Sequence, residues 1–174
     1  MSTKAAVLGA TVLALAALGA SLALYPSLPD KISTHWNIQG EVDGWSSRPT
    51  GAFLVPIIMA VAIMAMVILP WLSPRNFKVD SFRGTFNYVM VAVVALLGYV
   101  HSITLLSALN PEQGTNLGRH LVGGICLFLA VIGKTLGKVR RNFWMGVRTP
   151  WTLASDEVWI ATHRLAARLM TAGG

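Results

Sequence analysis

Charge is scarce in this sequence. Asp, Glu, Lys and Arg make up 12% of its 174 residues, where a soluble domain carries about a quarter. That deficit excludes an ordinary water-soluble globule and points to lipid as the solvent of much of the chain. Acids are the rarer sign, with seven Asp and Glu against 14 Lys and Arg, a formal net charge of +7. Cysteine is nearly absent. Cys126 stands alone inside an apolar run, which excludes an intramolecular disulfide and leaves no pairing from which to read a redox compartment. Also missing are a nucleophile–base pair at motif spacing, a phosphate-binding glycine loop and an HExxH helix. No catalytic residue, cofactor or metal is therefore expected, and the chain is not read as an enzyme. The positive charge comes without a nucleic-acid-binding motif, so direct nucleic-acid binding is not expected either.

What the sequence does hold is apolar length. Hydrophobic residues are 54% of the chain and mean hydropathy is +0.59. Four runs, Ala5–Leu24, Gly51–Leu72, Tyr88–Leu109 and Leu117–Leu136, approach the ~20 residues that span a bilayer. The first is longer than a signal-peptide core and reads as an uncleaved helix, with cleavage near Ala20–Ala23 as the alternative. Ala6, Ala10 and Ala14 form a small-residue row on it, and Gly123, Gly124 and Gly133 allow close helix approach on the fourth. The expected fold is an all-α integral membrane protein. It has four transmembrane helices and a cytoplasmic interfacial amphipathic helix over roughly Asp156–Met170, where Val158, Ala161, Leu165 and Leu169 repeat at helical spacing. Thr152–Ser155 offers its N-cap.

Loop charge sets the expected orientation. Lys4, then Arg75, Lys78 and Arg83, then the segment after the fourth run hold most of the cations. The positive-inside rule places these in the cytoplasm with both termini, and Tyr25–Thr50 outside. The lipid bilayer is thus one partner, and the sequence does not define an oligomeric state.

The outer stretch Tyr25–Thr50 reads as a polar loop with turns at Gly40 and Gly44 and no long periodic run. At roughly 26 residues it is long for a simple connection, and such loops are often functional or self-packed. Asp30, His35, Glu41 and Asp43 could form a metal or acid–base site, but their spacings match no metal motif. Capping of turns and folding of the loop is the plainer account. A third reading is a surface for an extracellular peptide. Its candidate residues are Tyr25, Pro26, Pro29, His35, Trp36, Asn37, Gly40, Asp43 and Trp45. Within the third run His101 is an ionisable group at membrane depth, with Tyr99 or His120 as candidate partners. A hydrogen bond to another helix suffices to explain it.

Lys134–Trp151, KTLGKVRRNFWMGVRTPW, places cations and aromatics directly after the fourth run. This suits a membrane interface, where cations meet anionic headgroups and rings settle at headgroup depth. Topology alone does not account for the order of Arg140, Arg141, Asn142, Gly146, Arg148, Thr149, Pro150 and Trp151. Gly146 and Pro150 imply a fixed bend, and Arg148 could reach Asp156, Glu157 or an acid on a partner. Trp159, Thr162 and His163 share one helical face and could pack back against Trp151. A cytoplasmic docking surface and a self-packed structural element are both open.

Two stretches carry a family resemblance. YPSLPDKISTHWNIQGEVDGW at Tyr25–Trp45 resembles the outer-loop domain DUF1648. GKVRRNFWMGVRTPWTLASDEVWIATHR at Gly137–Arg164 is similar to the Asn-aromatic-x-Gly-x-Arg-Thr-Pro-Trp-Thr-Leu segment of the SdpI family and its following Trp-x-x-Thr-His pair. Lys134-Thr135 departs from the Asn-aromatic pair of many relatives. The resemblance implies a multi-pass protein of the bacterial inner membrane. It divides the chain into a DUF1648-like unit at 1–72 and an SdpI-like unit at 73–174. It also implies a usual pattern of six membrane helices, which this four-run chain falls short of. The implied activity is immunity to a secreted membrane-active toxin peptide met outside. Signalling by sequestering a transcriptional regulator on the cytoplasmic side is implied as a second activity. A transporter or sensor subunit, or a structural membrane protein, is the alternative class.

Overall fold

A computed structural model describes residues 1–37, 39, 41–111 and 114–174. Four helices in it are long and apolar enough to cross a membrane. They are α1 (Thr3–Leu24), α2 (Arg48–Ile68), α3 (Arg83–Leu109) and α4 (Gly114–Leu136). At 1.5 Å per residue the 22 residues of α1 reach about 33 Å, enough for a ~30 Å hydrocarbon layer. Large apolar side chains such as Leu8, Leu15, Leu22, Ile57, Met64 and Leu127 are exposed on these helices. A protein dissolved in water would bury such a surface, whereas lipid accepts it.

The structure shifts several expected boundaries. The second span begins at Arg48 because Pro49 fits a helix's first turn, and it ends at Ile68, ahead of Pro70. The third begins five residues earlier than its apolar run, at Arg83. Contrary to a simple loop, the stretch after α1 folds into a 3-10 turn at Tyr25–Ser27 and an antiparallel hairpin. Its strands β1 (Lys31–Trp36) and β2 (Val42–Ser47) add a small sheet to an otherwise helical chain. Beyond α4, a short helix α5 (Pro150–Ala154) precedes α6 (Asp156–Gly173).

Contacts group the chain into two compact units, and each long helix contributes residues to both. One unit comprises Ala10–Ala62 and Val94–Ile125. Its core joins Leu28 and Ile32 to Ala52, Leu105 and Ala108. Gly51 permits this: a Cβ there would sit 2.7 Å from the Ile32 Cβ. Pro56, inside α2, has no N–H to donate to the Ala52 carbonyl one turn earlier. Ser21 fills the gap, its Oγ donating to Ala52 O at 2.6 Å. Since the only hydroxyl proton goes there, the His101 Nε2–H donates to Ser21 Oγ at 2.8 Å. His101 is therefore linked to Ser21, while the expected partners pair differently, with Tyr99 Oη donating to His120 O at 2.7 Å.

The other unit comprises Met1–Gly9, Ile63–Val93 and Cys126–Gly174. Val79, Phe82, Phe86, Ile132, Leu136, Val139 and Trp159 are buried in it. Asn87 Nδ2 ties down the amino terminus by donating to Met1 O at 3.3 Å and Thr3 Oγ1 at 3.1 Å. Gly133 brings α6 close to α4, where a Cβ would meet Thr171 Oγ1 at 2.6 Å.

Candidate functional site

The segment after α4 is built around a buried asparagine. Asn142 is 0% exposed. Its Oδ1 accepts from Trp144 N at 2.7 Å and Met145 N at 2.8 Å, and its Nδ2 donates to Arg140 O at 2.7 Å and Met145 O at 3.1 Å. A single amide thus satisfies four backbone groups of a tight turn. Gly146 continues the turn at φ +106°, a conformation open to glycine and costly for other residues. It also brings the backbone against His163, because a Cβ there would overlap Nε2.

His163 locks the turn to α6. Its Nδ1–H donates to Trp159 O at 2.8 Å, so Nε2 is the lone-pair nitrogen and accepts Val147 N–H at 3.0 Å. Burial lowers the pKa from the usual histidine value, with the bond to Trp159 O opposing part of the shift. Trp159 stacks on the imidazole with centroids 4.0 Å apart, and its Nε1 donates to Val139 O at 2.8 Å. The Trp159–His163 pair packs on Gly146 and Val147. Thr162 on the same helix is half-buried.

Thr149 begins α5 with a capping box. Its Oγ1 accepts from Thr152 N at 3.2 Å, and Thr152 Oγ1 accepts from Thr149 N at 2.8 Å. Pro150 occupies the first turn of the helix, where its missing N–H costs nothing. Ser155 caps α6, accepting from Val158 N at 3.3 Å. Asp156 in the first turn of α6 pairs with Arg141, at 2.7 Å from Nε, in place of the expected Arg148. Arg141 also donates to Leu153 O at 2.8 Å and lies 5.2 Å from the Phe77 ring centroid. Arg148 instead turns back to the Phe143 carbonyl. Trp144 Nε1 reaches Ser73 Oγ at 2.7 Å, so the loop after α2 is tied in as well.

The candidate residues thus separate into two sets. Asn142, Thr152, Trp159 and His163 are buried and hold the fold of the segment. Arg140, Arg148, Pro150 and Trp151 are exposed, with Trp151 64% exposed. The capping-box role of Thr152, as opposed to an N-cap of α6, was not anticipated, nor were Val147 and Ser73. Only the first left a local signal, a hydroxyl three residues after Thr149.

On the outer stretch, Asn37 organises the hairpin turn as Asn142 does its own. Its Oδ1 accepts from Gln39 N at 3.0 Å and Glu41 N at 2.9 Å. His35 pairs with Asp43 across the strands, and Asp30 pairs with Arg48 at the base of α2. Tyr25 packs on Phe53 with centroids 5.3 Å apart. Pro26 and Pro29 are exposed and Trp36 is half-buried. Trp45 is 58% exposed and borders a shallow cleft with Asp30, Lys31, Ser46 and Ser47. Gly40 lies outside the described residues.

Both segments match known families in the order expected. Residues 12–60 match the domain of unknown function DUF1648, and residues 138–174 match the SdpI/YfhL protein family. The second match coincides with the folded segment built on Asn142 and His163. The chain is similar to the SdpI family. It is 27% identical over 155 residues to the immunity protein SdpI of Bacillus subtilis (strain 168), covering 88% of this chain and 70% of that protein. No solved structure matches it. Together, the relationship to SdpI and the four apolar helices make this a multi-pass membrane protein.

Proposed function

We propose that this chain is an SdpI-like immunity protein, protecting the membrane of its own cell from a secreted membrane-active peptide. The observation that carries this reading is the continuous likeness to a protein of that activity over 88% of the chain. The distribution of loop cations supports an orientation with both termini and the Asn142–His163 segment in the cytoplasm and the hairpin outside. On that orientation the hairpin, with Trp45 and its cleft, is the surface a toxin peptide meets. The exposed Arg148 and Trp151 form the cytoplasmic face on which a transcriptional regulator docks. Residues 1–72 are then the receiving unit and 73–174 the responding one.

Expression in a cell sensitive to such peptides tests the immunity reading. Survival should rise in proportion to the amount of protein in the membrane. Unchanged killing across several membrane-active peptides, with the protein correctly inserted, overturns it. The docking reading predicts a DNA-binding regulator that co-purifies with the wild-type chain and is lost on Arg148→Ala or Trp151→Ala.

A further inference from the structure

A basic pocket lies beside the Asn142–His163 segment, within the unit that contains Ile63–Val93 and Cys126–Gly174. Arg75, Lys78 and Arg140 line it, together with Asn76, Ser81 and Asp80. The Arg141–Asp156 ion pair also borders it and neutralises itself. Among the described residues Arg75, Lys78 and Arg140 belong to no ion pair. Against the single remaining acid, Asp80, they leave an excess of two positive charges. The pocket's volume of about 590 Å³ falls in the roughly 300–1,000 Å³ range of small-molecule sites.

Its position supplies the ligand class. Arg75 follows the end of α2 at Ile68, and Arg140 follows the end of α4 at Leu136, each after only a few residues. Trp71, between α2 and the pocket residues, is 87% exposed. An exposed indole is costly in water and suited to the headgroup layer, where its ring is apolar and its N–H wet. The exposed apolar Leu165 and Leu169 of α6 add surface of the same kind. A cation-rich pocket at that depth faces phosphates, not bulk solvent.

We infer that this pocket binds the phosphate of one anionic phospholipid headgroup in the leaflet next to it, which is the cytoplasmic leaflet on the orientation proposed above. Arg75, Lys78 and Arg140 surround the phosphate, and Asn76 and Ser81 offer hydrogen bonds to it or to headgroup hydroxyls. The inference goes beyond the immunity reading and stands or falls separately from it. A bound lipid fixes the depth of the loop after α2 and of the segment after α4 at a single point.

Native mass spectrometry of the full chain in detergent, with phosphatidylglycerol or phosphatidylcholine of matched acyl chains, tests this. The expected result is one retained phosphatidylglycerol per chain, with much weaker retention of the zwitterionic lipid. Removing a cation costs about fivefold near a membrane surface, so Arg75→Gln with Arg140→Gln should weaken retention roughly 25-fold. The paired control Arg164→Gln with Arg168→Gln removes the same charge outside the pocket and should leave retention near wild type. If the glutamine pair lowers the melting temperature, Arg75→Lys with Arg140→Lys preserves the charge and should keep the lipid. Equal retention of the two lipids, or equal loss in the pocket and control pairs, overturns the site in favour of diffuse surface charge. Displacement of the lipid by millimolar glycerol phosphate overturns the membrane source and makes the ligand a soluble phosphate.

Discussion

Replacing Ser21 by alanine removes one hydroxyl and should strand two polar groups. Ser21 and Ala52 are 0% exposed and His101 is 1% exposed. The Ser21 Oγ–H is the donor to Ala52 O, and the same oxygen accepts His101 Nε2–H. No backbone amide can take over, because the amide four residues on belongs to Pro56. At membrane depth there is little water to substitute. Leaving a buried donor or acceptor unmade costs about 1–3 kcal/mol each, so Ser21→Ala should destabilise by about 2–6 kcal/mol. The cause is specific, which makes it separable. Pro56→Ala restores an N–H aimed at Ala52 O, so in that background the loss of Ser21 strands His101 alone. Unfolding of the four proteins in mixed micelles gives a double-mutant cycle, with an expected recovery of about 1–3 kcal/mol from the restored bond. A coupling below about 0.5 kcal/mol, the usual scatter for independent sites, would refute the claim that Ser21 stands in for the missing proline amide.

Three further outcomes are expected. Asn142→Ala removes the partner of the Trp144 and Met145 amides and of two carbonyls in a partly exposed turn that water can in part satisfy, a loss of about 2–4 kcal/mol, visible as proteolysis of residues 137–174 at lower denaturant. Gly146→Ala forces a side chain into positive φ and onto His163, and should cost about 2–4 kcal/mol from strain and overlap, read as a lower melting temperature, whereas Gly137→Ala, with open space around it, should not. His163 is neutral and its folded pKa lies below the unfolded value of 6.5. The unfolded state therefore binds the proton first, and stability is full above pH 6.5 and falls as pH drops from there toward the folded pKa, by at most about 1.4 kcal/mol per unit. Hydrogen exchange at the Val147 amide, corrected for its intrinsic pH dependence, should quicken over that window. An identical profile in His163→Gln would rule histidine out as the cause.

How far the sequence revealed this arrangement depended on how local each feature was. The membrane helices were legible because ~20 apolar residues leave few alternatives, although their ends were not. Arg83–Asn87 is helical beyond the apolar run, with Phe86 and Asn87 buried, a consequence of packing that hydropathy does not encode. The Asn142–Trp151 order signalled a fixed bend, and the bend is there. Its fastening was hidden, because His163 reaches Val147 across 16 residues and Arg141 reaches Asp156 across 15. Arg148 was the candidate named for Asp156, whereas the fold brings Arg141 to it. The hairpin escaped because KISTHW and VDGWSS lack alternating apolar residues. Ile32 is the single fully buried side chain of β1, too little for a period-two signal. His101 and Ser21 lie 80 residues apart, a separation at which a sequence offers candidates and no geometry.

On the proposed function, the buried residues of the segment after α4 hold its shape while the exposed Arg148 and Trp151 carry its activity. Survival under a membrane-active peptide, measured beside melting temperature for Arg148→Ala with Trp151→Ala and for Asn142→Ala, tests it most directly. The exposed pair should keep a wild-type melting temperature and lose protection at least tenfold, a difference of about 1.4 kcal/mol in the responsible interaction. Asn142→Ala should lose stability and protection together. Full protection by the folded exposed-pair variant, with loss confined to proteins that unfold, would contradict it.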